Sequence, residues 1–383
     1  MADPTPLPRD QFPVSEQLVY LDHAGVAPLP RTAAEAMAAC VDAFVSRGRL
    51  DLPAWEERQE EVRAAAAALL GVRPTSVAFV KNTTEGLCLV TNGLDWSAGD
   101  RVLVTDRDFP STVYPWLALR DRGVQVDLLP PDGHGWALPI ERFADALAAG
   151  PVRVVCVSWV QFARGWRTDL ATLADLCHDH GALLVADVIQ GLGVLPAELA
   201  AWGVDVAAAD AHKWLLGPLG IGIAYLSDRA REVVRPSQPG WASVIHREQW
   251  DNLELVYDDT ARRYEGGSLT TVAIAGLGAS IDLLRTATVD RVWAHVDALA
   301  DRATAEATAH GLPVLSDRSA TGRSGIVTLA TPEADPVGVV EQLDAQGIVV
   351  SARGGGVRLA PHGYTTAEEI DRAVTVIAAL VHC

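Results

Sequence analysis

Short apolar runs punctuate the middle of the chain: SVAFV (76–80), RVLVT (101–105), VQVDLLP (124–130), VRVVCVSWV (152–160), ALLVAD (182–187), VDVAAAD (204–210) and IGIAYL (221–226). Helical patterns, such as 139–149 and 169–180, separate most of them. Strands that stay apolar on both sides and alternate with helices predict a mainly parallel sheet covered on both faces. Before this stretch, residues 1–18 read as an irregular proline-rich arm, and LVYLDHAGVAPLP (18–30) as a short strand entering a loop. A helix is expected over 31–46, and EERQEEVRAAAAALL (56–70) is a strong helix former stopped by Gly71. KNTTEGLCLVTNGL (81–94) is a polar turn entering a helix, with Asn82 and Glu85 spaced as a capping box. Beyond 228 the texture changes. Residues 236–268 are loop-rich, helices are expected over 267–285, 289–310, 336–345 and from 366, and short strands over 325–330, 347–352 and 357–360. The expected division is a large domain, 19–275, and a small C-terminal α+β domain, 276–383, joined by the 1–18 arm.

In parallel α/β sheets ligands gather beyond the carboxyl ends of the strands. Polar clusters occupy those positions here: Asn82–Thr84, Asp106–Pro110, Gln161, Asp187–Gln190 and Asp210–Lys213. Lys213 is one of only two lysines in the chain, with Lys81, and a charged residue at the end of a buried strand is paired or functional. A lysine at one strand end and a carboxylate, Asp187, at another is what pyridoxal phosphate (PLP) requires: an amine for its aldehyde and a partner for its pyridinium nitrogen. Asn82, Thr83 and Thr84 offer amides and hydroxyls at a helix start, suited to a phosphate or to a plain helix cap. Neither GxxxxGK[ST] nor GxGxxG occurs, which removes the P-loop and dinucleotide readings.

Composition narrows the partners. The 383 residues carry a net charge of −18, against what nucleic acid or an anionic membrane attracts. No apolar run is long enough to span a bilayer, and no secretory signal is visible. The five cysteines (Cys40, Cys88, Cys156, Cys177, Cys383) lie scattered without a CxxC pair, so neither a disulfide framework nor a metal site is expected, and a cytoplasmic setting is.

ADVIQG (186–191) followed by AADAHKWLLGPLGIGIAYL (208–226) resembles the class V aminotransferase family of fold-type I PLP enzymes, closest in shape to cysteine desulfurases, isopenicillin N epimerase-like proteins and C–S lyases. The resemblance extends through KNTTEGLCLV, RRYEGGSLTTVAIAGLGASIDLL (262–284) and VRLAPHGYTTAEEIDRAV (357–374). It implies the α/β fold of fold-type I PLP-dependent transferases, with a mainly parallel seven-stranded sheet, helices on both faces, and a smaller C-terminal domain. It also implies roles. Lys213 holds PLP as a Schiff base and serves as the α-proton base, and Asp187 pairs with the ring nitrogen. Gln190 and Gln161 lie near the phenolic oxygen. Thr83, Thr84 and His212 contact the phosphate. Ser268 reaches the phosphate of a neighbouring subunit, hence a homodimer with shared sites. Arg358 grips the substrate α-carboxylate.

Three departures qualify the resemblance. Phe109 stands where a ring-stacking histidine is common, and can stack without shuttling protons. SARGGGVRLAP (351–361) has no catalytic cysteine ahead of Arg358, and its Gly354–Gly356 stretch is expected to be a flexible loop over the site. Asp210 replaces a phosphate-binding serine. His23 and His362 are candidates to face the substrate, Arg164 to bind a second acidic group, and Trp159, Trp166 and Trp241 to line a pocket. The favoured reaction is β-elimination from a cysteine-derived amino acid without a persulfide cysteine. Epimerisation, transamination and decarboxylation begin in the same way, and a catalytically silent scaffold is the reading from another class.

Overall fold

The fold is a computed structural model that describes residues 5–131 and 136–382. The seven apolar runs form one sheet. Its strands are β2 (Val77–Val80), β3 (Arg101–Thr105), β4 (Gln125–Leu129), β5 (Val154–Ser158), β6 (Leu183–Asp187), β7 (Val206–Asp210) and β8 (Gly222–Leu226), preceded in the chain by β1 (Val19–Tyr20). The order is β2-β8-β7-β6-β5-β3-β4, and β8 alone runs antiparallel to its neighbours. Alternate residues feed two cores. Val155, Leu184, Ala186 and Ala207 join one cluster, and Val154, Cys156, Val185 and Ala208 join the other. Burial on both faces is why these strands read as continuous apolar runs.

Helices α1 (Arg31–Arg47), α2 (Leu52–Leu70), α3 (Thr83–Gly93), α4 (Pro110–Leu117), α5 (Ile140–Ala148), α6 (Leu170–Asp179), α7 (Asp228–Val233) and α8 (Thr271–Ala287) belong to this part of the chain. Gly71 ends α2 in the left-handed conformation (φ +67°) and donates to Ala67 and Ala68 carbonyls. Asn82 caps α3 by accepting from Glu85 N at 2.8 Å, but the Glu85 carboxylate reaches back to Lys81 N, one residue beyond the cap.

Helices α9 (Val289–Ala309), α10 (Pro336–Asp344) and α11 (Ala367–Val381) pack with a three-stranded antiparallel sheet, β11-β12-β9, made from β9 (Val327–Ala330), β11 (Ser351–Arg353) and β12 (Gly356–Leu359). The first strand, β1, pairs in parallel with β10 (Ile348–Val349). A third core holds Val19, Leu21, Leu299, Leu329, Val357, Leu359 and Ile377. The expected division at 275/276 falls inside α8, whose Ile274, Leu277, Ile281 and Leu284 lie in the large-sheet core. The change of core comes within α9, where Val296 belongs to the large cluster and Leu299 to the small one. The Gly354–Gly356 stretch is not a loose cover. Arg353 pairs with Gly356 across a two-residue turn with φ of +61° and +84° at Gly354 and Gly355, the tight hairpin for which glycine is suited. Among the described residues no single helix is long and apolar enough to cross a membrane.

Candidate active site

Six of the seven strands point their carboxyl ends one way, and the turns that follow them meet the β11–β12 hairpin around a cavity of about 330 Å³. Thr83, Thr84, Phe109, Asp187, Gln190, Asp210, His212, Lys213 and Arg358 all line it. They come from the ends of β2, β3, β6 and β7 and from β12, so four of the five expected strand-end clusters converge and Gln161 does not line the cavity.

Asp187 is the last residue of β6 and is buried. Its Oδ1 accepts from Ile189 N at 3.0 Å and its Oδ2 from Thr112 Oγ1 at 3.1 Å. Burial raises its pKa to about 6, against the lowering pull of the Ile189 hydrogen bond and of Lys213. Lys213 is 8% exposed. Burial lowers its pKa to about 8, with Asp187 opposing the shift and Arg358 adding to it. The Lys213 amine lies 5.4 Å from the centre of the Phe109 ring, which packs edge-on against Phe162.

Thr83 opens α3, and its hydroxyl accepts from Asp210 N at 3.0 Å. Thr84 donates to Ser111 at 2.8 Å. Gln190 holds two elements together: Nε2 donates to Ala24 O at 3.0 Å and Oε1 accepts from Trp214 Nε1 at 2.8 Å. One Nε2 hydrogen stays available to the cavity. Arg358 is 2% exposed. Its Nη2 pairs with Asp22 Oδ1 at 2.7 Å and its Nη1 donates to Phe162 O at 2.7 Å, while the buried Nε has no partner.

Eight expected residues are placed elsewhere. Gln161 spends its amide on backbone, accepting from Ala163 N and Arg164 N in its own turn and donating to Arg107 O in the turn after β3. His23 is fully buried between Ala360 O and Tyr364 Oη, each at 2.8 Å, and burial drives its pKa down to about 4. Arg164 grips Gly354 O through Nε and Nη2 and stacks on Trp136 at 4.8 Å, so it braces the hairpin instead of entering the cavity. Ser268 lines a separate cleft of about 510 Å³. His362 is buried too: Gly363 N donates to its Nδ1, and its Nε2 contacts Trp214 O. None of Trp159, Trp166 and Trp241 lines the cavity.

Arg353 was not among the expected residues, and it does line the cavity. In the hairpin Ser351 faces Arg358 and Arg353 faces Gly356. Directly opposed residues share a face, so both arginines sit on the cavity side while Val357 and Leu359 enter the small core. Reading GGG as a tight turn instead of a loose loop would have paired them.

The donor set fits the PLP expected from the sequence. A buried carboxylate and a buried amine share the cavity, hydroxyls sit at a helix N-terminus on its wall, and His212 Nδ1 is buried there without a hydrogen-bond partner.

Comparison with known proteins identifies the fold and the family. A probable cysteine desulfurase of Methanothermobacter thermautotrophicus is 30% identical over 94% of both chains. The apo structure of a cysteine desulfurase from Thermococcus onnurineus NA1 superposes with a TM-score of 0.88 at 23% identity, covering 98% of each chain. A complex of the cystine C-S lyase C-DES with its product cysteine persulfide gives 0.89 at 24% identity, covering 97% of this chain and 100% of that one. These likenesses establish the fold-type I architecture. The family model for class-V aminotransferases matches residues 19–372, and the chain belongs to that family.

Proposed function

We propose that the protein is a PLP-dependent C–S lyase that eliminates a sulfur leaving group from a cysteine-derived amino acid. The observation that carries this is the meeting of Asp187, Lys213 and Arg358 on one cavity. Bound there, PLP supplies an aldehyde for the substrate amine and a ring that accepts the electron pair left when Cα loses its proton. Asp187 holds a proton on the ring nitrogen. Arg358 takes the α-carboxylate with its unpartnered Nε, Asp22 and Phe162 O holding the rest of the guanidinium in place. The Lys213 amine removes the α-proton, its lowered pKa leaving a useful neutral fraction near pH 8. The Cβ–S bond then breaks, its electron pair leaving on sulfur, and the released 2-aminoacrylate hydrolyses to pyruvate and ammonia.

Among the described residues no cysteine lines the cavity, which favours release of the sulfur product over its capture on the protein. Cys383 lies outside the described residues. Arg353 adds a second cation beside Arg358 and suits a substrate with a second carboxylate beyond the sulfur, such as cystine, the substrate class in the name of one structural relative. Pyruvate release from cystine and from S-methylcysteine tests both statements. Arg353→Ala should lower kcat/KM for cystine by roughly 10-fold or more, the range of one charge-assisted hydrogen bond, and leave S-methylcysteine within about 3-fold. In heavy water, deuterium at Cα without pyruvate would replace the lyase reading with epimerisation or transamination.

The same reading makes the enzyme a homodimer. Ser268 lies away from its own cavity, and Trp241, Ile245, Trp250, Leu253 and Leu255 beyond it are exposed, Leu253 at 92%. Large apolar side chains left in water, with Trp241 and Trp250 in contact, favour association. Sedimentation should give a dimer at assay concentration, and a fully active monomer would remove the shared site.

A further inference from the structure

Asp210 introduces a conflict into the cavity: it is a carboxylate on the wall assigned to a phosphate. The local backbone leaves it little room to turn away. Thr83 Oγ1 fixes Asp210 N, and Ala27 N fixes His212 O at 2.7 Å. The side chains are 12% and 15% exposed, and Asp210 Oδ1 sits 3.2 Å from His212 Nδ1. Neither atom has a hydrogen-bond partner, the present alignment between them falling short of one. The nearby α3 and α4 sides of the cavity present only the hydroxyls of Thr83, Thr84 and Ser111. The other ionisable groups on the cavity are Asp187, Lys213, Arg353 and Arg358.

A carboxylate buried on the wall that would hold the phosphate would repel it. One proton on the imidazole removes the conflict. We propose that Asp210 is a positioning residue that acts through His212: its carboxylate accepts Nδ1–H and so holds His212 as an imidazolium whose Nε2–H is presented to the cofactor phosphate. The row is then anion, cation, anion. The proton comes from solvent or from the entering phosphate itself, whose second ionisation lies near pH 6. A serine in the same place would give the phosphate one hydroxyl. The Asp210–His212 pair gives it a charge.

This inference rests on the PLP reading of the site. It is tested on the PLP-free protein by measuring dissociation constants for PLP, for pyridoxal (which lacks the phosphate) and for inorganic phosphate from pH 5.5 to 8.5. Lys213, Asp187 and the phosphate titrate in wild type and variant alike, so the ratio of the two proteins' dissociation constants at each pH reads the Asp210–His212 pair alone. Asp210→Asn should weaken PLP and phosphate by roughly 10-fold or more at pH 8, the range of a charge-assisted hydrogen bond. The loss should shrink toward pH 5.5, where the imidazole protonates unaided. Pyridoxal should bind both proteins within about 2-fold. Asp210→Ser, checked with Asp210→Asn for an unchanged thermal melt, guards against a folding defect and should show the same pH-dependent loss. Equal or tighter PLP binding by both variants at pH 8 would overturn the proposal while leaving the cofactor assignment standing. Failure of wild type to bind PLP at any pH would overturn the assignment itself.

Discussion

Lys213→Ala should produce a protein in which borohydride fixes no PLP and pyruvate release falls on the order of 10⁴-fold or more, since one side chain supplies both the cofactor amine and the proton acceptor. The chain makes the test clean. Lys81 is the only other lysine, and it is exposed and paired with Glu85 at 3.4 Å, so peptide mapping after reduction has two possible side-chain answers. The adduct belongs on the peptide carrying Lys213. An adduct on Lys81 in the wild type, or one surviving Lys213→Ala, would refute the assignment. In wild type the rate of adduct formation should climb as pH rises through about 8, because the attacking amine must be neutral and burial lowers its pKa to that value. An exposed lysine would show the climb near pH 10.4. A small primary amine added to Lys213→Ala should restore part of the turnover, which separates lost chemistry from a damaged fold.

The second large effect is on stability. Arg63, on α2, is 2% exposed and meets Glu265 through two hydrogen bonds of 2.5 and 3.0 Å. Glu265 also accepts from Phe79 N at 2.7 Å, while Arg63 donates to Val77 O at 2.9 Å and lies over the Phe79 ring. Removing one partner strands a buried charge, so Arg63→Met should cost about 3–5 kcal/mol in denaturant unfolding. Arg63→Met with Glu265→Gln should recover part of that loss, because neither charge then remains buried alone. An unchanged unfolding midpoint in Arg63→Met would show that the pair contributes nothing. Glu265 ties β2, which leads into Asn82–Thr84, to the segment that carries Ser268. The single variant should therefore also bind PLP more weakly.

The sheet and the acid–lysine pair were legible because each rests on a local pattern. Apolar runs alternate with helices, and Asp187, Asp210 and Lys213 stand out where such runs stop. What escaped depends on contacts between distant parts of the chain. Nothing near Arg164 in sequence announces that it braces the carbonyl of Gly354, 190 residues away. Nothing near His23 announces that Ala360 and Tyr364 will enclose it. Gln161 carries a strand-end signal as good as that of Gln190, but its amide closes its own turn. Position on a strand end locates a side chain at the rim of the site. Which way its polar atoms turn is decided by the acceptors that packing brings close.

The pairing of Asp22 with Arg358 also sets an order of events during synthesis. The two residues are 336 positions apart, and β1 likewise finds its partner only in β10. At typical translation rates of about 5–20 residues per second, roughly 17 to 70 seconds separate them at the ribosome. Through that interval the large sheet can collapse, while Val19 and Leu21 wait for the core they will share with β12. The nascent chain therefore holds Lys213 and Asp187 well before Arg358, and the cavity they share is completed only once β12 has been made.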